Sequence, residues 1–533
     1  MKSIKNEVNF KFSKALAAFI AAQATAFCFM ATPAMAEKIT TYLAPQYNID
    51  LPAEKAFLSV APASDPATQK PMLVDVVNDF EKQETATPKG YKVVPFAGAG
   101  DYAPELFPYL MKSQEMLDSA KLRIIARMKK YELIKQSGNE QYAEFYKKYV
   151  SAPISFFIGF NAGTGPACAA MPLYLDLKDG GYFFFNTVVF IEDIPKMFSI
   201  KDSITNDTLD MVVAHENAHG IMYDMYGSQI KIVDKKSNVG HDGPVISDRG
   251  LAYIEGWAEA FEALYGPTNP LLKLKEEERE KYRISEFLFT RQDPVRRDRY
   301  IWQNYVGKKT GILKNGLQLL STEGVIAGQF YDILTSRAIK NAFTKATSVM
   351  FQNRPKDYIE FLKGWVKLYP EDKKVLYRIF LEGTNYATVS NQARGLYHDY
   401  YQAKLKYVKK QMEQKDFYTI KNKWEAFKED LFANAMQADN IDANIGPDLW
   451  LNVPAPPGYN IKNLHVNLSL ANPKFLKNMK LVGITDEDID NIVTSREAMG
   501  VLPYKSATEA LIQMLGAEKA NNIINSNQLT DIK

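Results

Sequence analysis

The chain has 533 residues, of which 46% are hydrophobic, 24% charged and 12% aromatic. That composition excludes wholesale disorder and allows a large core divided among roughly two to four domains. The 65 basic and 62 acidic side chains give a formal charge of +3, but four Lys and one Glu fall in the first 36 residues, so the remainder carries 61 of each sign and a net charge of zero. A neutral chain has no global field to draw it onto nucleic acid or anionic lipid, which disfavours both as partners.

Residues 1–36 are basic through Lys14, apolar and Ala-rich from Ala15 to Thr32, and end in Pro33-Ala34-Met35-Ala36, the small-x-small pattern of a cleavage site. The pattern predicts a bacterial-type signal peptide cut after Ala36 and a periplasmic or secreted protein. No comparable apolar run follows, so no membrane span is expected once the signal is removed. Cys28 leaves with it, and the single remaining Cys168 excludes an intramolecular disulfide. Cys168 reads as a buried small apolar residue.

From Glu37 to about Ala103 prolines punctuate short apolar runs, which predicts irregular structure with a few strands or a short helix. Residues 104–149 are Gly-poor with helical apolar spacing, so helices broken near Gly138 are expected. Together 37–150 form an N-terminal region that is either a prosegment or a first lobe. Ile154 to Phe160 is a short apolar run; the β-rich runs Leu173 to Leu177 and Tyr182 to Ile191 flank Asp179-Gly180-Gly181 and predict a hairpin. A helix of about 20 residues follows, with Ser203 or Thr205 as N-cap and Gly227 as its stop. Residues up to 444 read as mostly helical, 445–460 as a Pro/Gly-rich linker, and 461–533 as a small α-helical module. The fold class expected is α+β, predominantly α.

Inside the predicted helix stands His215-Glu216-Asn217-Ala218-His219. Residues four apart share a helical face, so both imidazoles can reach one metal ion, and the Glu beside them can take a proton from water. Zinc sites that do chemistry usually have three protein ligands. The third His of metzincins is excluded because Met225 stands in its place, so a carboxylate is required. Candidates lie in the helical stretch Leu251 to Glu262, where Glu255 and Glu259 are four apart and share a face, while Glu262 is placed further round.

These two segments resemble the gluzincin group of zincin metallopeptidases: Ile254-Glu255-Gly256-Trp257-Ala258 is similar to the Glu-Gly-aromatic-Ala core that carries the Glu ligand in the M1 aminopeptidase branch. The resemblance implies a zincin-like catalytic domain over 151–444, made of a small sheet, the motif helix and a helical lobe. It implies one Zn²⁺ per chain on His215, His219 and Glu255, with Glu216 as general base in peptide hydrolysis by a metal-activated water. As in thermolysin-like enzymes, Glu259 would be the carboxylate that orients a ligating His. The strand ending near Ile191 would be the sheet edge that pairs with a peptide or protein substrate, bringing Asn186, Thr187 and Glu192 to it. His241, His398, Tyr300 and Tyr305 are candidate oxyanion donors. The helix Ser321 to Leu334, similar to one that follows the ligands in several gluzincins, would pack behind the site. The separation of His219 and Glu255 is roughly twice that of the M1 pattern, and the exopeptidase Gly-x-Met-Glu-Asn signature is absent.

Arg291, Arg296, Arg297 and Arg299 interleave with Asp293 and Asp298 and read as a solvated face. Residues 461–533 resemble tandem helix-hairpin-helix domains, but their eight basic and eight acidic side chains, with Asp486, Glu487, Asp488 and Asp490 after the hairpin, would repel phosphate. The module is expected to bind a protein partner or serve structurally. The function expected is an exported zinc-dependent metallopeptidase; the alternative is a catalytically inactive zincin-like envelope binding or assembly protein.

Overall fold

The computed structural model describes residues 43–47, 49, 57–62, 91–95, 114–150, 152–160, 167–169, 173–177, 181–185, 188–193, 209–227, 243–265, 298–305, 308–438, 441–442, 445–455, 462–499 and 504–532. The signal segment, Asn186, Thr187, His241, Arg291, Arg296 and Arg297 lie outside these. The protein is α+β and mostly helical, with small sheets.

Five strands, β1 (Phe57–Pro62), β2 (Tyr91–Pro95), β3 (Ile154–Phe160), β4 (Ala167–Ala169) and β7 (Val188–Asp193), make a mixed sheet in the order β2-β1-β3-β7-β4. The inner pairs β1/β3 and β3/β7 are parallel, and the outer strands β2 and β4 run antiparallel to their neighbours. The expected hairpin forms from β5 (Leu173–Leu177) and β6 (Gly181–Phe185) as a separate two-stranded sheet. The run from Tyr182 to Ile191 therefore splits, and its second half enters the large sheet as β7. Strand β4 covers β7 over Val188–Phe190, which puts that half of the strand inside the sheet, whereas Ile191–Asp193 pair with β3 alone among the described residues and keep the margin expected near Ile191.

Helix α1 (Gln114–Gln136) and helix α2 (Glu140–Val150) are separated at Gly138, where a break was expected. The motif helix α3 (Leu209–Tyr226) stops at Gly227, whose φ of +78° is a left-handed conformation that costs glycine little and whose N–H closes on the Tyr223 carbonyl. Helix α4 (Arg249–Tyr265) starts where the Asp248 carboxyl accepts the Leu251 N–H at 2.7 Å. Its small residues allow close neighbours: a Cβ on Gly256 would lie 2.8 Å from Ile326 Cβ, so only glycine lets helix α6 (Glu323–Thr335) approach this closely. The short helix α5 (Gly316–Leu320) leads into α6. Helices α7 (Ala342–Asn353), α8 (Tyr358–Leu368) and α9 (Lys373–Gly383) continue the lobe, joined through edge-on rings of Trp257, Phe330, Phe361 and Trp365 with centroids 5.0–5.5 Å apart. Helices α10 (Asn391–Val408) and α11 (Gln414–Ala438) pack on its outside. The hairpin β8 (Trp302–Tyr305) and β9 (Lys308–Leu313) precedes α5.

The C-terminal unit has its own core. Trp450–Pro454, inside the stretch read as a linker, is instead strand β10, the centre of a three-stranded sheet with β11 (Asn463–Asn467) and β12 (Thr530–Asp531). The unit is thus not purely helical. Its helices α12 (Pro473–Asn478) and α13 (Asp486–Met499), then α14 (Ala507–Leu515) and α15 (Ala517–Asn527), form two successive helix pairs. Asp448 tethers it to the larger body by a 2.6 Å ion pair with Arg249, and Ile246, Leu317 and Leu470 share a small apolar cluster across the junction. Among the described residues no helix is long and apolar enough to cross a membrane.

Candidate metal centre

Helices α3 and α4 lie antiparallel, since their contacts step in opposite directions along the chain: Tyr226 with Tyr253, His219 with Glu255, His215 with Glu262. On α3, Nε2 of His215 and Nε2 of His219 are 3.0 Å apart. Glu255 Oε2 sits 3.4 Å from the first and 3.3 Å from the second. Three ligand atoms bound at about 2.0–2.1 Å in a tetrahedral shell stand about 3.3 Å from one another, so this triangle has the size a single ion requires. These three residues are the group of His, Cys, Asp and Glu side chains that could hold a metal ion among the described residues.

Electrostatics agree with the geometry. Burial penalises the imidazolium of His215, but hydrogen bonds to Glu255 and Glu262 and the charge of Glu216 outweigh it and hold the ring protonated well above the usual histidine range. Burial likewise opposes the charge of Glu255, yet His219 and His215 pull its carboxyl well below the usual range. The proton on the His215 ring thus stands where a cation would put its charge.

Glu216 is buried on the same helix, and burial raises its carboxyl pKa while the two imidazoles and a hydrogen bond from the Cys168 backbone N–H lower it. That bond ties the motif helix to the edge strand β4. Cys168 itself is half-buried, its thiol pushed up by burial, and it pairs in register with Val189.

The α4 carboxylates do not divide as expected. Glu262 Oε1 lies 2.7 Å from Nδ1 of His215. Glu259, the residue expected there, is 8% exposed, and its Oε1 comes 3.4 Å from where a Cβ on Gly243 would stand, beside Tyr300. Burial, and next the nearby carboxyl of Glu323, push the Glu259 pKa well above the usual range. Helical arithmetic corrects the placement of Glu262 further round: at 100° per residue Glu259 is about 40° from Glu255, whereas Glu262, two turns on, returns to within about 20°.

Sequence reasoning also missed the support behind α3. Arg123 and Arg127 of α1 both reach Asp224 Oδ2, at 2.9 and 2.7 Å, and Lys130 Nζ donates to the Asp224 carbonyl oxygen. Asn217, inside the motif, donates to Ser119 Oγ at 2.8 Å, and Tyr265 of α4 donates to Asp118 at 3.0 Å. Charged residues at helical spacing in α1 were the available signal, but nothing in their pattern marks them as buried.

Of the oxyanion candidates, His398 is 45% exposed in its side chain and packs edge-on to Trp302, and Tyr300 is buried against Gly324. The helix read as packing behind the site does so: α6 covers α4 at Gly256, and Gly324 N–H bonds the Gly243 carbonyl at 2.9 Å. Comparison of the chain with family models, curated proteins and solved structures finds no significant match.

Proposed function

We propose that the chain is an exported, zinc-dependent metallopeptidase of the gluzincin type that hydrolyses peptide bonds, with His215, His219 and Glu255 as ligands and Glu216 as general base. The observation that carries this is the triangle of two imidazole nitrogens and one carboxylate oxygen 3.0–3.4 Å on a side, with a buried glutamate from the same helix turn beside it. A divalent ion held there polarises a carbonyl and brings the pKa of water toward neutrality. Glu216 receives the proton that water gives up and passes it to the departing amine. Burial favours this role, because a carboxyl shifted upward is a better base near neutral pH than one exposed to solvent.

A peptide substrate is supported by the edge strand. Cys168 directs its backbone N–H toward Glu216 and so away from β7, and the N–H and C=O of one strand residue point to the same side. An extended peptide laid along that side can donate to the Cys168 carbonyl, the N–H of that residue being held by Glu216. Export rests on the first 36 residues and puts the site in a periplasmic or secreted setting, and the C-terminal unit is proposed to bind a protein partner. The internal use of its acids fits that role better than gripping phosphate, since Asp488 binds Lys519 at 2.6 Å and caps the chain at Thr485, and Asp490 pairs with Lys477.

Metal content by mass spectrometry, with cleavage of a peptide library by the same samples, tests the reading. About one zinc per chain in the wild type, lost in Glu255→Ala and retained without cleavage in Glu216→Gln, is expected. A metal-free, inactive wild type under zinc-replete conditions, or undiminished cleavage by Glu216→Gln, overturns it.

A further inference from the structure

We propose that Glu262 is the positioning residue of the centre, fixing the ring of His215 through Nδ1, and that Glu259, one turn after Glu255, has no part in steering the ligands. The inference deepens the metal-centre reading and rests on it for what the other face of the ring binds.

The argument starts from the two sides of one imidazole. A carboxylate oxygen 2.7 Å from Nδ1, though off the line of the ring N–H, favours the ring hydrogen on that nitrogen and leaves the Nε2 lone pair for the opposite side, where Glu255 Oε2 and His219 Nε2 lie at 3.4 and 3.0 Å. The antiparallel run of α3 and α4 makes this possible. Moving one turn back along α3 from His219 to His215 means moving toward the C-terminal end of α4, from Glu255 to Glu262, not to a residue on its flank. Both partners are shielded, with side chains 18% exposed, so water competes weakly for the contact.

The centre is therefore asymmetric. Neither Nδ1 has an aligned hydrogen bond among the described residues, but His215 Nδ1 has a carboxylate oxygen 2.7 Å away, whereas His219 Nδ1 is buried without one and its ring stacks on Tyr223 at 6.2 Å. One ligand is steered by a carboxylate and the other by packing. Glu259 is directed elsewhere, into the corner formed by Gly243, Tyr300 and Glu323, with its Oε2 facing no partner among the described residues.

The test compares zinc affinity, by chelator competition on the full mature chain, for wild type, Glu262→Ala, Glu262→Gln and Glu259→Gln. Removing a carboxylate that orients a ligating histidine weakens metal binding about 10–100-fold, and that loss is expected for Glu262→Ala. Glu262→Gln, whose amide oxygen still accepts, falls between it and the wild type, and Glu259→Gln stays within about threefold. A matching unfolding temperature for the metal-free proteins shows that Glu262→Ala still folds. Nitrogen-15 histidine NMR of the metal-free chain gives a readout independent of zinc: a solvent-protected Nδ1–H signal, assigned by its loss in His215→Ala, should vanish in Glu262→Ala and persist in Glu259→Gln. If wild type takes up no zinc while that signal still depends on Glu262, the positioning contact stands and the peptidase reading falls. Wild-type zinc affinity in Glu262→Ala, a larger loss in Glu259→Gln, or an Nδ1–H signal indifferent to Glu262 overturns the proposal.

Discussion

Replacing Asp224 with Ala would leave Arg123 and Arg127 against the motif helix with no carboxylate between them. Their side chains are 0% and 4% exposed, so water cannot take its place. Breaking a buried ion pair from one side costs about 3–5 kcal/mol because the remaining charge stays desolvated. Against a total stability of about 5–15 kcal/mol, that is a fifth or more of what holds a domain together. The Lys130 bond to the Asp224 backbone carbonyl survives the substitution, so the loss reports on the carboxylate. Urea unfolding of the metal-free protein, followed by fluorescence, measures it. The pH dependence is a second arm. Burial opposes the Asp224 charge, but Arg123 and Arg127 prevail and hold its pKa below the usual 3.8. A carboxyl depressed in the folded state contributes stability that is present above its unfolded value and lost as pH falls through its folded value. The gap between wild type and Asp224→Ala is therefore full at neutral pH and closes in acid below about pH 4. Replacing all three residues by apolar ones of similar volume should restore stability or raise it by about 1–4 kcal/mol, since a buried ionic group need not beat good packing. A loss under about 1 kcal/mol at neutral pH, or a gap that ignores pH, would refute the reasoning.

Gly256→Ala would put a Cβ 2.8 Å from Ile326 Cβ and 3.0 Å from the Ala327 backbone nitrogen, which cannot rotate away. Forcing α4 from α6 should cost about 1–3 kcal/mol by thermal unfolding and should weaken zinc uptake as well, because Glu255 is the preceding residue. Asp248 is held at about 7 by burial, in spite of the N–H groups of Leu251 and Gly250. The folded chain then binds a proton that the unfolded chain has released, so stability falls as pH rises between about 4 and 7. Asp248→Asn keeps the cap, and unfolding temperatures measured across that window should flatten. Asp448→Ala leaves Arg249 with Asp357 alone, at 3.4 Å, and should cost about 1–2 kcal/mol by denaturant midpoint without altering zinc content.

What was legible in the chain follows from how local each signal is. The motif helix, its stop at Gly227 and the break at Gly138 are written in contiguous residues, and the structure has all three. So is the Glu255 segment, because Glu-Gly-aromatic-Ala combines a ligand with the glycine that lets α6 approach. Pairing order is not local. β4 has three residues, too short a run to stand out, yet it takes the edge beside Val188–Phe190 of β7. Trp450–Pro454 sits among prolines and glycines that resemble a linker, and it becomes a central strand only through partners at 463–467 and 530–531. Spacing along α4 already set Glu262 nearer the Glu255 face than Glu259, but only the relative direction of the two helices brings it to His215.

The same distinction bears on the N-terminal region, whose sequence allowed either a detachable segment or a first lobe. Strand β1 lies inside the large sheet, antiparallel to β2 and parallel to β3, so the sheet that carries the edge strand is continuous with residues before 100. Helix α1 supplies both guanidiniums that neutralise Asp224 and the hydroxyl that holds Asn217 between the two histidines. Withdrawing it would bare the apolar side of α3 along Leu122, Ile125 and Ala126, and would bury an acid with no counter-charge next to the centre. Strand β1 and helix α1 thus share the sheet and the core with the motif helix, which rests on a helix some ninety residues earlier in the chain.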